Sequence, residues 1–193
     1  MSIETDALDA LYAQIKPKGV TMTALLAKAV GAALAAHPLL FATLSADAAA
    51  VTYNEQVNIA VAVALDGGLI TPVLADVANT DVFQIGRKWK ELVGKARAKS
   101  LTPAEFNSGN FTISNLGMYG VAAFDAILPP GQGAILAVGA SKRTVVPVGD
   151  MIGVRSIMTV NLTADHRHIN GDKAAEFLQT LKEVIESPQA LVF

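Results

Sequence analysis

The sequence predicts one α+β domain, a mixed β-sheet with helices packed against it. Three observations carry that prediction. Apolar residues recur at helical spacing near both ends of the chain and in its middle, β-branched runs of strand length lie between them, and no repeat, low-complexity tract or linker divides the 193 residues. Hydrophobic residues make up 52% of the chain and mean hydropathy is +0.41, which excludes disorder because the apolar area is ample to offset chain entropy. A chain of this length buries roughly two thirds of the surface its unfolded form exposes.

The elements follow in order. Leu8, Leu11, Tyr12 and Ile15 recur at helical spacing after Asp6, and Thr21 or Thr23 is placed to cap a second helix that runs to about Ala36, before Pro38. Val57 to Leu65 is β-branched on one phase and small on the other, and Asp66-Gly67-Gly68 turns it into a second strand, Leu69 to Leu74. From Asp81 to about Lys99, Val82, Ile85, Trp89, Leu92 and Val93 form one face, with Arg87, Lys88, Lys90, Lys95, Arg97 and Lys99 around it; this predicts an amphipathic helix with a basic flank. Phe111–Ser114, Ala134–Val138 and Ser156–Thr163 read as strands, Pro129-Pro130-Gly131 separates the first two, and Lys173–Ile185 closes the chain as a helix.

Composition also limits function. Charged residues are 17% of the chain, against about 25% in an average soluble domain, so part of the surface is expected to be covered by other subunits. Fifteen basic against 17 acidic residues give a net charge of −2, which disfavours nucleic-acid and anionic-lipid partners. The absence of cysteine removes disulfides, a thiolate nucleophile and Cys-based zinc, and suits an intracellular setting. The most apolar stretch, Thr21–Ala36, is shorter than a membrane span and carries Lys28. The first residues, Met1-Ser2-Ile3-Glu4-Thr5-Asp6, are acidic where targeting signals are basic, so no targeting segment is expected within them.

Histidine is the side chain best matched to proton transfer near neutral pH, and the chain has three. His37 lies between a helix end and Pro38 and is expected to be structural. His166 and His168 sit where an apolar strand ends and a helix begins, a place where rigid scaffolds present reactive groups. A zinc site is disfavoured because these two histidines have no third histidine or cysteine to join them. The Gly-containing stretches Gly117-Met118-Tyr119-Gly120 and Gly131-Gln132-Gly133 match neither the dinucleotide fingerprint nor the phosphate loop.

Asp165-His166-Arg167-His168-Ile169-Asn170-Gly171 resembles the D-H-R-x-x-(D/N)-G signature of dihydrolipoamide acyltransferases, the core-forming components of 2-oxo acid dehydrogenase complexes. Phe111-Thr112-Ile113-Ser114-Asn115-Leu116-Gly117 resembles the F-T-I-S-N-x-G strand of the same family. Val57–Val73, Lys95-Ala96-Arg97 with Leu101-Thr102-Pro103, and Ala134–Gly139 follow its patterns in order. The segments Lys88–Arg97 and Ile127–Ala134 are especially similar to plastid and cyanobacterial pyruvate dehydrogenase members.

That resemblance implies a chloramphenicol-acetyltransferase-like fold for residues 1–193, acting as a trimeric building block of a larger cubic or icosahedral core. It implies transfer of an acetyl group between dihydrolipoamide and coenzyme A, with no metal, a lipoyl group carried on a separate domain, and pyruvate dehydrogenase and dihydrolipoamide dehydrogenase as partners. A plastid location follows from the closer likeness, or the cytoplasm of a bacterium. Family domains usually begin with a further helix and strand ahead of Ile3, and the lipoyl and peripheral-subunit-binding domains are expected to lie outside these residues. By resemblance His166 is the general base, Ser114 the oxyanion donor and Asn170 a site residue that holds geometry. Ser114, Asn115 and Gly139 match positions that line the coenzyme A site, and Asp165 and Arg167 are expected to hold the loop. Asn170 departs from the Asp of many members and cannot carry the charge that stabilises an imidazolium. Two alternatives stay open: another coenzyme A-dependent acetyltransferase, such as the chloramphenicol-modifying type, and a catalytically silent core protein with an added binding role along the basic flank.

Overall fold

The structure, a computed structural model, describes residues 1–192. In chain order the elements are β1 (Ser2–Glu4), α1 (Asp6–Ile15), α2 (Met22–Ala35), β2 (Thr43–Leu44), β3 (Val51–Thr52), β4 (Ile59–Val61), β5 (Val63–Leu65), β6 (Gly68–Ile70), β7 (Val73–Leu74), α3 (Val82–Arg97), α4 (Pro103–Asn107), β8 (Phe111–Asn115), β9 (Ala134–Val138), β10 (Lys142–Val148), β11 (Met151–Ala164) and α5 (Gly171–Glu186). The main sheet has seven strands in the order β1-β11-β9-β8-β4-β7, with β10 also paired to β11. Strands β4, β8 and β9 run parallel and the other pairs antiparallel, so the sheet is mixed as the sequence predicts.

Local chemistry sets the helices. The Thr21 hydroxyl accepts the Ala24 N–H at the start of α2, and Asp81 Oδ1 accepts the N–H groups of Phe83 and Gln84 at the start of α3. Helix α2 buries Leu25, Leu26, Val30, Leu34 and the small residues between them, apolar around most of its girth because other helices pack against it. Its one charge, Lys28, donates to the carbonyls of Val77, Ala78 and Thr80 at 3.3, 2.8 and 2.9 Å, so the ammonium is satisfied and the loop ahead of α3 is tied down. Phe177, Leu181 and Ile185 of α5 enter the same core as Phe111 and Leu136 of the sheet. The core joins both layers.

The hairpin expected from Val57 to Leu74 is divided in two. Strand β4 pairs with β7 and β5 with β6 in one continuous register, with Gly67 at φ +82° in the turn. The break falls at Pro72, whose carbonyl accepts the Val61 N–H but which has no N–H to return, and Ala62 donates instead to Ile113 of β8. The last strand is also longer than expected: β11 starts at Met151 and pairs along its first half with β10.

A second irregularity lies beside the site. Val138 pairs with Val160, but Lys142 pairs with Ile157, so three residues of one strand, Gly139 to Ser141, oppose two of the other. This is a β-bulge, a device that re-aims side chains next to functional sites. Gly139 keeps its ladder bond to Thr159 while Ala140 turns to Val121.

Candidate active site

The candidate residues form two groups. Ser114 and Asn115 end β8, paired with Ala137 and Val138 of β9, and Gly139 follows directly. These three gather at the C-terminal ends of the parallel strands, where scaffolds commonly present functional groups. Because β11 runs antiparallel to β9, its own end lies at the other side of the sheet: Ala164 pairs with Ala134, which pairs with Phe111. His166 is two residues further on, and Asn170 precedes α5. The structure therefore gathers Ser114, Asn115 and Gly139 at one end of the sheet and sets His166 and Asn170 on the segment between β11 and α5 at the other, so the two groups lie apart within one chain.

The Ser114 side is hollow. One cavity of about 410 Å³ is lined by Ser114, Asn115, Val61, Trp89, Arg97 and Met118. An adjoining cavity of about 240 Å³ is lined by Asn115, Gly139, Met22, Leu26, Met158 and Ser141, and the two share Thr23, Asn115 and Met118. Among the described residues the Ser114 hydroxyl bonds to no backbone group, so it is not spent on its own strand. Asn115 Oδ1 accepts the Gly117 N–H at 2.8 Å, which turns the Asn115 amide nitrogen outward. Gly139 has a structural reason to be glycine: a Cβ there would stand 2.1 Å from the carbonyl oxygen of Ala122 and 3.0 Å from that of Thr159.

On the other side His166 is exposed, on a turn, and its ring bonds to no described residue. The turn is braced from within. Asp165 accepts the Arg167 N–H at 3.1 Å and the guanidinium through Nε at 2.9 Å and NH2 at 2.6 Å. These bonds, led by the guanidinium, hold the Asp165 carboxyl down to about 2, against the opposing pull of partial burial. Asp165 and Arg167 thus clamp the loop on either side of the exposed imidazole, as expected. Asn170 takes the N-cap backbone conformation, φ −77° and ψ 159°, but its side chain makes no capping bond.

The other histidines are accounted for separately. His37 Nε2 lies 2.8 Å from the Thr180 hydroxyl, and its ring meets Phe177 edge-on, so it joins a helix end to the core as expected. His168 is buried under the loop with neither ring nitrogen hydrogen-bonded among the described residues; its Nδ1 is 3.9 Å from Asp165 Oδ2. Among the described residues no group of three or more His, Asp or Glu is placed to hold a metal ion. No described helix is long and apolar enough to cross a membrane.

Sequence reasoning missed Thr5, Asp9 and Ser141, which line the smaller cavity. They come from the start of α1 and from the bulge, segments remote in sequence that meet only in the fold. No local pattern marks them.

Comparison with known proteins bears on the fold and the family. The family model described as "2-oxoacid dehydrogenases acyltransferase (catalytic domain)" matches residues 1–193. The chain is 61% identical over 190 residues to the dihydrolipoyllysine-residue acetyltransferase component 4 of pyruvate dehydrogenase complex, chloroplastic, of Arabidopsis thaliana, covering 98% of this chain and 39% of that protein. It thus spans about two fifths of the length of that relative. Among solved structures, the cubic core of the pyruvate dehydrogenase multienzyme complex superposes with a TM-score of 0.93 at 31% identity, covering 100% of this chain and 82% of that one. The Azotobacter vinelandii dihydrolipoamide acetyltransferase, in a structure made to investigate the catalytic role of one serine, one histidine and one asparagine, gives 0.93 at 30% identity with the same coverage. A chloramphenicol acetyltransferase, at 14% identity and a TM-score of 0.65 over 96% of this chain and 86% of that one, shows the fold alone.

Proposed function

The chain belongs to the 2-oxoacid dehydrogenase acyltransferase family, and from that premise we propose that it transfers an acetyl group between the thiol of dihydrolipoamide and that of coenzyme A, within the core of a pyruvate dehydrogenase complex. One observation carries the assignment of roles. The serine, histidine and asparagine studied in the Azotobacter protein are separated by 52 and then 4 positions, and Ser114, His166 and Asn170 have the same two spacings. Among the described residues the Ser114 hydroxyl, the His166 ring and the Asn170 amide have no hydrogen-bond partner, which supports it.

A site of this kind needs both groups at one reacting carbon, and one chain keeps them apart. We therefore take the site to form between subunits, His166 of one chain facing Ser114 of the partner subunit in a cyclic trimer. The likeness to a cubic core supports self-assembly of this kind, and the low charge content is consistent with it.

The chemistry follows from the residue types. The His166 imidazole takes the proton of the coenzyme A thiol as sulfur attacks the acetyl carbon of the lipoyl thioester. The carbonyl oxygen becomes an oxyanion, which the partner's Ser114 stabilises by donating its hydroxyl hydrogen. The intermediate collapses, the carbon–sulfur bond to the lipoyl group breaks, and the imidazolium returns its proton to that sulfur. Asn170 holds the imidazole side of the site by hydrogen bonding and transfers no proton. Both thiols belong to substrates, so a chain without cysteine is chemically sufficient.

The lipoyl group would arrive on a domain outside these residues, and the two other enzymes of such a complex, pyruvate dehydrogenase and dihydrolipoamide dehydrogenase, would be its partners. The chloroplastic relatives support a plastid location. The deciding assay is acetyl transfer from acetyl-CoA to free dihydrolipoamide by the assembled chain. Transfer that depends on His166 is the expected result; a folded assembly with no transfer contradicts the reading.

A further inference from the structure

The smaller cavity contains a directed chain of hydrogen bonds. Thr5, 2% exposed, places its hydroxyl 3.1 Å from Asp9 Oδ2 and 2.7 Å from the Ser141 hydroxyl. A threonine hydroxyl has one hydrogen, and an ionised carboxylate accepts only, so that hydrogen goes to Asp9. Ser141 must then donate to Thr5, which leaves the Ser141 oxygen at the mouth with lone pairs alone to offer a ligand. Across the same cavity Asn115 has the opposite polarity: Oδ1 is committed to Gly117, and the free atom is the NH2 donor. Thr23, Gly117 and Gly139 also reach the wall, and the rest of the lining is apolar: Leu8, Met22, Leu26, Met118, Val138 and Met158. An acceptor and a donor facing a mostly apolar cavity complement a group that carries one N–H and one C=O on a hydrocarbon chain.

We propose that Asp9, Thr5, Ser141 and Asn115 form a subsite for a secondary amide in the flexible arm of a thiol carrier, the amide N–H donating to Ser141 and the amide C=O accepting from Asn115. This rests on the transferase reading, since both substrates named there have amide-bearing arms: the pantetheine arm of coenzyme A and the lipoyl-lysine arm. Asp9 acts through Thr5 by fixing the direction of the chain, and Ser141 is a specificity residue. The bulge at Gly139–Ser141 turns the serine toward the cavity mouth.

Calorimetric titration of the assembled full chain with coenzyme A and, separately, with dihydrolipoamide measures binding without turnover. Ser141→Ala removes the acceptor at an exposed position, and loss of one hydrogen bond should weaken one of the two ligands about five- to tenfold. Thr5→Val should do the same to the same ligand, and Ser141→Thr, which keeps a hydroxyl, should restore wild-type affinity. In turnover the loss should fall on KM for that substrate and spare kcat. A change confined to coenzyme A assigns the subsite to pantetheine, and one confined to dihydrolipoamide assigns it to the lipoyl arm. Unchanged affinity for both ligands in Ser141→Ala, or a wild-type chain that binds neither, overturns the subsite. Wild-type chain that shows the expected binding pattern but transfers no acetyl group would refute the transferase reading and leave the subsite standing.

Discussion

Ser114 and His166 stand at opposite ends of the same central strands. Ser114 is level with Ala137 and Asn161, whereas Ala164, two residues short of His166, is level with Ala134 and Phe111. Three strand residues separate those two rows, roughly 10 Å at the rise of a β-strand, and His166 lies further out still. A hydrogen bond spans about 3 Å. In the proposed site a second subunit closes that gap.

Ser114→Ala should lower kcat about a hundredfold and leave KM within a few-fold, because the hydroxyl matters most once the oxyanion forms, and one such donor contributes about 3 kcal/mol. The check is steady-state kinetics on folded variant. A change confined to KM would make Ser114 a binding residue.

Asn170→Asp should keep substantial activity and full stability. The residue already has the N-cap backbone conformation of α5, its side chain is free, and a carboxylate is favoured at that position by the helix N-terminus. Thermal unfolding and turnover test this together: complete inactivation at unchanged Tm would show a site adapted to the amide.

Gly139→Ala should destabilise the chain by about 3 kcal/mol or more, since the new methyl meets the Ala122 carbonyl at 2.1 Å and the obstacle is backbone, not a side chain that turns aside. Denaturant unfolding measures it. A variant within 1 kcal/mol of wild type, on the order of an ordinary surface change, contradicts the close approach.

The Asp165–Arg167 clamp makes stability depend on acid. The carboxyl titrates near about 2 when folded and near ~3.9 when unfolded, so the clamp contributes above about pH 4 and is lost as pH falls toward 2. The guanidinium is 64% exposed, so water and salt screen the pair and the effect is modest. Asp165→Asn should have a lower Tm than wild type at neutral pH, with the gap closing between pH 4 and 2. A gap constant across that range would mean that the carboxylate charge contributes nothing.

Much of this was legible before any coordinates. Thr21 and Asp81 mark helix starts because capping is local chemistry, and α5 follows from apolar spacing and the turn ahead of it. The hairpin of residues 57–74 was legible as a hairpin, but its division was not, because the consequence of Pro72 depends on which neighbour each strand bonds. Strand β10 escaped notice because Pro147 weakens its pattern and because much of it is exposed, with Val145 and its β11 neighbours Ile152 and Val154 facing outward. The bulge at Gly139–Ser141 is a difference between two registers, which no single strand carries in its own residues. For the same reason Ser114 and His166 are candidate site residues by resemblance, while the strand rows between them, and the meeting of Thr5 with Ser141, are tertiary facts.

The most direct test is complementation between His166→Ala and Ser114→Ala chains. Each variant alone should lose about a hundredfold or more of the transferase activity, without its base or its oxyanion donor. If the two are denatured, mixed equally and reassembled at random, a shared site works only where a chain with intact His166 faces a chain with intact Ser114. The chance is a half times a half, so about a quarter of wild-type activity should return in cyclic trimers. Recovery no greater than that of either variant reassembled alone, in mixed trimers confirmed by mass, would contradict a site shared between subunits.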